Sequence, residues 1–98
     1  MGKYLLLWEM DQTRTPIDPK ERGTGSKALM DMVKQDIEKG ILKDWGGFVG
    51  EEKGYAIAEG TEVEIGNMVE QYVPFVRFEV HPIASVSQVE EVIKALSK

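Results

Sequence analysis

The chain contains no cysteine and only one histidine, His81. Without cysteine it can form no disulfide, no thiolate nucleophile and no cysteine-based zinc or iron–sulfur site. A single histidine excludes a multi-histidine metal or haem site within one chain, because such sites need several protein ligands. Only a symmetric dimer could bring two copies of His81 together. We therefore expect no metal and no cofactor, and the lack of disulfides agrees with a cytoplasmic location.

Positive charge and long apolar runs are also scarce. Twelve Lys and Arg residues stand against seventeen Asp and Glu, which gives a net charge of −5. No basic stripe could replace the counterions of a phosphate backbone, so nucleic acid is not an expected partner. The longest apolar run, from Tyr4 to Trp8, is far shorter than the roughly 20 residues that cross a bilayer. We see no secretion signal before it and expect no membrane partner.

The remaining composition is that of a globular protein, with 42% hydrophobic and 30% charged residues. No polar or Pro/Gly-rich stretch separates two cores, so residues 1–98 are predicted to form a single domain. A chain of this length buries only about two thirds of its unfolded surface. A large pocket would therefore have to be formed together with a partner chain or take up part of a small core.

The first half of the chain predicts a strand, a helix and a second strand. Residues 3–10 contain a continuous apolar run, which is typical of a strand covered on both faces. Asp18 and Pro19 form a helix start, and Gly23 and Gly25 are expected to interrupt that helix. Apolar residues then recur at helical spacing as far as Gly40, at Leu29, Met32, Val33 and Ile37. Residues 41–50 predict the second strand, with a bulge near Gly46-Gly47.

The second half repeats the pattern and adds a helix. Residues 55–59 predict the hairpin partner of the preceding strand. Thr61-x-x-Glu64 is a capping box for a helix that Pro74 ends, with its apolar side at Val63, Ile65, Met68, Val69 and Tyr72. Residues 75–81 alternate between an apolar and a polar face and predict strand four. Ser87-x-x-Glu90 is the expected cap of a last helix.

This order predicts an α+β, ferredoxin-like βαββαβ fold with a C-terminal helix. Its four-stranded antiparallel sheet would carry both helices on one face. The strands are apolar on the other face as well, which an exposed sheet face would not be. We therefore expect a second sheet to cover it in a homodimer.

Four short motifs lie between Leu42 and Pro82: Lys43-Asp44-Trp45-Gly46, Gly54-Tyr55-Ala56-Ile57-Ala58-Glu59-Gly60, Tyr72-x-Pro74-Phe75 and Phe78-Glu79-Val80-His81-Pro82. This pattern resembles an uncharacterised prokaryotic family of the dimeric α/β-barrel superfamily. The superfamily also holds muconolactone isomerases and the cofactor-independent monooxygenases of antibiotic biosynthesis. The resemblance implies two ferredoxin-like protomers with facing sheets. Its motifs are structural, and no catalytic residue of the superfamily is carried over to this chain.

Strand four supplies the candidate polar site. His81 is the one candidate catalytic residue, as a general base for proton transfer. The alternative is a structural histidine at the end of a strand. Arg77 and Glu79 share its face at spacings of about 7 Å, which leaves room for a small polar ligand. The alternative there is an edge strand whose charges prevent unwanted pairing or form an ion pair across a dimer.

Aromatic residues supply the candidate apolar site: Trp8, Trp45, Tyr55, Tyr72 and Phe75. They could line a pocket for an aromatic substrate, or they could simply fill the core, as aromatics do in small domains. Glu9 lies in an apolar strand and would need a charged partner if its face were covered, for which Arg77 is the candidate.

Two common catalytic motifs are absent from the sequence. Gly46-Gly47-x-x-Gly50 lacks the Lys-Ser/Thr of a phosphate loop. No serine has the flanking glycines of a nucleophile elbow.

Three functions stay open. The first is a homodimeric domain of unknown function that binds a small aromatic or acidic molecule beside the sheet. The second is a muconolactone-isomerase-like or monooxygenase-like enzyme that uses His81. The third is a non-catalytic dimerisation or regulatory module. The sequence does not decide whether the chain is an enzyme.

Overall fold

The computed structural model describes residues 2–97 and contains four strands and three α-helices. In chain order these elements are β1 (Gly2–Met10), α1 (Pro19–Glu38), β2 (Leu42–Gly47), β3 (Lys53–Gly60), α2 (Glu62–Glu70), β4 (Val76–Ile83) and α3 (Val86–Leu96). A short 3-10 turn, Gln12–Arg14, follows β1.

The strands form one antiparallel sheet in the order β2-β3-β1-β4. Each helical connection leads from a central strand to a strand that is not its neighbour. The strands joined by α1 flank β3, and those joined by α2 flank β1. This is the ferredoxin-like arrangement with an added C-terminal helix, so the predicted fold class is confirmed.

Helix α1 begins where the sequence predicts. The Asp18 carboxylate accepts a hydrogen bond from the backbone N–H of Lys20 at 3.2 Å, and Pro19 occupies the first turn. The predicted interruption at Gly23 and Gly25 is wrong, because α1 is continuous through both. An interior glycine costs a helix only about 1 kcal/mol relative to alanine, so these two weaken the helix without ending it.

The N-terminal caps of α2 and α3 are both capping boxes. In α2 the backbone N–H of Glu64 donates to Thr61 Oγ1 at 3.2 Å, and the backbone N–H of Thr61 donates to Glu64 Oε1 at 2.9 Å, as predicted. In α3 the cap is Ser85 with Gln88, and the prediction of Ser87 is wrong. Both serines precede a suitable partner by three residues, and the cap at Ser85 lets the helix begin two residues earlier.

The bulge in β2 also differs from the prediction. Leu42 pairs with Ala58 and Asp44 pairs with Ile57, so the irregularity lies between Leu42 and Asp44. Gly46 pairs regularly with Tyr55. A Cβ at Gly46 would lie only 2.6 Å from Tyr55 Cε1, so this glycine accommodates a neighbouring ring instead of a bulge.

The core lies between α1, α2 and the face of the sheet that carries the even-numbered residues of β1, β3 and β4. Leu6 and Ala58 are fully buried there, against Val33 of α1 and Ile65 of α2. Helix α2 packs through Ile65 and Met68, whereas Val63 is 71% exposed, so its predicted place on the packed side is wrong.

The molecule is elongated, with principal extents of 61 × 26 × 20 Å and a radius of gyration of 16.3 Å. A compact domain of about 100 residues has a radius of gyration near 13 Å. The difference arises because two helical segments extend beyond the sheet: residues 19–28 of α1 are almost entirely exposed, and α3 has no buried residue. No helix among residues 2–97 is both long enough and apolar enough to cross a membrane.

Candidate ligand-binding site

Two tryptophans from non-adjacent strands stack on the helix-covered face of the sheet. Trp8 of β1 and Trp45 of β2 have ring centroids 5.2 Å apart and planes inclined by 7°. They meet across β3 because their partners in the register, Gly54 and Ala56, are too small to separate them. Trp8 Nε1 donates to the backbone carbonyl oxygens of Gly46 and Tyr55, at 3.2 Å each. This shared hydrogen bond holds the indole plane in place.

The tryptophan pair forms one wall of a cavity between the sheet and α1. The cavity has a volume of about 140 Å³, and its wall residues include Trp8, Trp45, Met10, Leu29, Tyr72 and Phe78. Polar side chains at the wall come from Ser26 and Glu52, which are both exposed and mark the side that is open to solvent. We call this space the apolar cavity.

Tyr72 links the apolar cavity to a buried carboxylate. Its hydroxyl donates to Asp36 Oδ2 at 2.7 Å, and Asp36 is only 1% exposed. Burial raises the pKa of Tyr72 well above its ordinary value, and the hydrogen bond to the Asp36 carboxylate adds to this rise. The Tyr72 ring also meets Phe78 edge to face, with centroids 5.7 Å apart. The phenol is therefore neutral, and its ring presents an apolar surface to the cavity.

The odd-numbered residues of β1 and β4 and their partners in β3 lie on the opposite face, which we call the open sheet face. Its centre is apolar and partly exposed, at Leu5, Leu7, Tyr55 and Ile57. A depression of about 480 Å³ on this face is lined by charged side chains of both signs, from Glu9, Lys53, Arg77 and Glu79. The hydrogen bond from the Tyr55 hydroxyl to Asp44 Oδ2, 2.7 Å long, raises the pKa of Tyr55.

His81 also lies on the open sheet face, at the register position opposite Leu5. Its Nε2 is 3.7 Å from Glu79 Oε2, and half of its side chain is exposed. It lines neither the apolar cavity nor the open-face depression. Within one chain the geometry therefore gives His81 an acidic neighbour but no enclosed space in which to act on a substrate.

Arg77 and Glu9 lie directly opposite each other in the pairing of β1 with β4. Within residues 2–97 no ion pair joins them, and Glu9 is exposed, so the predicted need for a partner does not arise in a single chain. Arg77 acts instead on Asp11. The hydrogen bonds that Thr13 donates lower the pKa of the Asp11 carboxyl, and the charge of Arg77 lowers it further.

The structure separates the predicted aromatic set. Trp8, Trp45 and Tyr72 line the apolar cavity, Tyr55 lies on the open sheet face, and Phe75 is 49% exposed just before β4. Phe78 also lines the cavity, although it is not among the site residues predicted from the sequence. The alternation of β4 could have identified it, because Phe78 shares a face with the buried Val76 and pairs with Trp8.

Comparison with protein-family models and with curated proteins identifies no relative of this chain. No protein-family model matches the chain, and no curated protein matches it. The resemblance to the dimeric α/β-barrel superfamily therefore stays a prediction.

Proposed function

We propose that this chain is a homodimeric binding domain whose ligand is a small apolar ring held in the apolar cavity. The observation that carries the proposal is a cavity of about 140 Å³ walled by a stacked tryptophan pair, methionines and aliphatic side chains. An apolar cavity of roughly 150 Å³ is large enough to bind benzene. The space therefore suits a ligand of one aromatic ring with a short substituent.

The hydrogen-bonding groups around the cavity favour an apolar ligand over a polar one. Trp8 Nε1 already donates to two carbonyl oxygens, and the Tyr72 hydroxyl already donates to Asp36. No buried side-chain nitrogen or oxygen among the described residues lacks a partner. A polar group placed deep in the cavity, away from Ser26 and Glu52 at its open side, would lose its hydration without gaining a hydrogen bond, which disfavours binding.

An acidic ligand would have to bind on the other side of the sheet. The open-face depression offers Lys53 and Arg77, but Glu9 and Glu79 line the same space. The two cations and two carboxylates cancel, so this depression has no net attraction for an anion. We therefore assign the ligand to the aromatic class and not to the acidic class.

The homodimer is supported by the open sheet face. Helices α1 and α2 both pack on the opposite face of the sheet, and Leu5, Leu7 and Ile57 of the open sheet face stay partly exposed. A second copy that covers them would remove apolar surface from water. The ligand cavity itself lies on the helix-covered face, so binding and dimerisation can be measured separately.

Intrinsic fluorescence tests ligand binding directly, because the chain has two tryptophans and both line the cavity. The tryptophans are excited at a wavelength that toluene does not absorb. Under these conditions we expect toluene to change the tryptophan emission saturably and to raise the unfolding temperature. Benzoate, an acidic ring of similar size, should do neither. The absence of a saturable change with toluene would refute the assignment.

A pair of variants on one helix locates the binding. Ser26 is exposed and lines the cavity, so Ser26→Phe should close its open side and abolish the toluene response. Thr24→Phe introduces the same ring two residues earlier on α1, at an exposed position that does not line the cavity. It should respond like the parent chain. An equal response from both variants would place the ligand elsewhere.

A further inference from the structure

Helix α3 has an apolar stripe that residues 2–97 leave largely exposed. Five aliphatic residues lie on one side of the helix, between 45% and 81% exposed: Val86, Val89, Val92, Ile93 and Leu96. Their spacing places them within about a third of the helix circumference, which is the pattern of a helix that packs against another surface. No residue of α3 is buried.

The connection to the sheet explains why the stripe stays uncovered. Only Ala84 and Ser85 separate β4 from α3, and Ser85 is held in the capping box with Gln88. β4 is an edge strand of the sheet. The helix therefore leaves the sheet at its border and adds to the 61 Å length of the molecule.

We infer that α3 is an arm that docks through this stripe on a second copy of the same chain. The inference deepens the proposed homodimer and rests on it. Ile83, the last residue of β4, belongs to the odd-numbered residues that lie on the open sheet face. The arm consequently begins at the border of the surface that the second copy would cover, so sheet face and arm form one continuous interface.

The areas involved favour a dimer interface that includes the arm. A stable interface of standard size buries about 800 Å² per partner, of which roughly 450 Å² is apolar. The four central residues of the open sheet face are already more than half covered and leave at most about 200 Å² of apolar surface to bury. The α3 stripe adds on the order of 300 Å². These four residues alone do not reach the apolar area of a standard interface, and together with the α3 stripe they do.

The polar side of α3 disfavours a lipid surface as the occupant. Helices that lie on anionic membranes carry several Lys and Arg residues on their polar side. In α3 that side contains Glu90 and Glu91 with Lys94, and the whole chain has a net charge of −5. A second protein chain fits this charge pattern better than a negatively charged membrane does.

Sedimentation equilibrium of three full-length chains over a concentration series tests the arm. The chains are the parent, Val89→Lys/Ile93→Lys on the stripe and Glu91→Lys on the polar side of the same helix. We expect a parent dimer of twice 11.0 kDa, a dissociation constant at least about tenfold higher for the stripe variant, and no change for Glu91→Lys. Circular dichroism checks folding, and if the double variant does not fold, Leu96→Lys replaces it with the same expected loss.

The outcomes separate the arm from the dimer. A parent dimer with the same dissociation constant in the stripe variant overturns the arm and leaves the homodimer standing. A monomeric parent overturns both. Co-sedimentation of a monomeric parent with phosphatidylcholine–phosphatidylglycerol vesicles, lost in the stripe variant, would assign the stripe to a membrane and also overturn the arm.

Discussion

The Tyr72 hydroxyl donates a 2.7 Å hydrogen bond to the Asp36 carboxylate in the interior of the domain. This bond joins the last turn of α1 to the segment that follows α2, beside the apolar cavity. A buried carboxylate that accepts no hydrogen bond lowers the stability of the fold. Removal of the Tyr72 hydroxyl alone is therefore expected to cost more free energy than replacement of both partners by apolar groups.

Tyr72→Phe should lower the free energy of unfolding by about 1–3 kcal/mol, because it leaves Asp36 buried without that donor. The double variant Asp36→Leu/Tyr72→Phe should recover most of the loss, since it replaces both polar partners with apolar groups. Urea unfolding at neutral pH measures both values. A double variant that is less stable than Tyr72→Phe would show that the carboxylate has a further stabilising contact.

Stability should also fall in alkaline solution, and Tyr72 should contribute to the fall. Its pKa is raised in the folded chain above the ordinary 10.0, so below about pH 10 the phenol is protonated in both states and its contribution is complete. Above that pH the unfolded chain releases the proton first. The free energy of unfolding then drops by at most about 1.4 kcal/mol per pH unit for this group.

Comparison with Tyr72→Phe isolates that contribution. The pKa values of Tyr4 and Tyr55 are raised as well, by burial and by the hydrogen bond to Asp44 respectively, and both groups remain in the variant. The stability difference between parent and Tyr72→Phe should therefore shrink as the pH rises above about 10. A difference that stays constant over that range would contradict the raised pKa of Tyr72.

The sequence predicted the parts of the fold that depend on local signals. Asp18-Pro19 and the Thr61 capping box begin α1 and α2 as expected, because each cap involves only neighbouring residues. The alternation of apolar and polar residues in strand four predicted which residues lie on each face of the sheet, and this assignment agrees with the register. Local signals failed where two of them overlapped, as at Ser85 and Ser87, which both satisfy the capping pattern.

The candidate site depended on information that no local pattern contains. Trp8 and Trp45 are 37 positions apart and meet only because β3 lies between their strands. The bulge between Leu42 and Asp44 sets which side of β2 carries Trp45. A shift of one residue would move the ring to the open sheet face, where Tyr55 lies. The sequence therefore supplied the aromatic residues but not their division between the two faces.

Gly54→Ala should disrupt the tryptophan pair. A Cβ at this position would lie 2.6 Å from Trp8 Cζ2 and would also collide with the Gly46 backbone. We expect a loss of about 2 kcal/mol or more in the free energy of unfolding and a weaker near-ultraviolet circular dichroism signal from the indoles. Gly66→Ala in α2 is the matched control, because nothing lies within 4 Å of its Cβ position. It should gain about 0.5–1 kcal/mol.

Ser85→Ala should loosen α3, whereas Ser87→Ala should not. The backbone N–H of Gln88 donates to Ser85 Oγ at 3.2 Å, and loss of such a cap costs about 1 kcal/mol. Since α3 has no buried residue to compensate, its amides should exchange roughly fivefold faster with solvent deuterium. Faster exchange in Ser87→Ala than in Ser85→Ala would move the start of the helix to the position that the sequence first suggested, and equal rates would contradict the Ser85 cap.

Methionine methyl NMR tests the central claim, that the apolar cavity binds a small ring. Met10, Met30 and Met68 line the cavity, whereas Met32 packs against the same core without lining it. Titration with toluene should shift the methyl signals of the three lining residues saturably, through the ring current of the bound ligand, and leave Met32 nearly unchanged. Equal small shifts at all four methyls, or none that saturate, would contradict a bound ligand in this cavity.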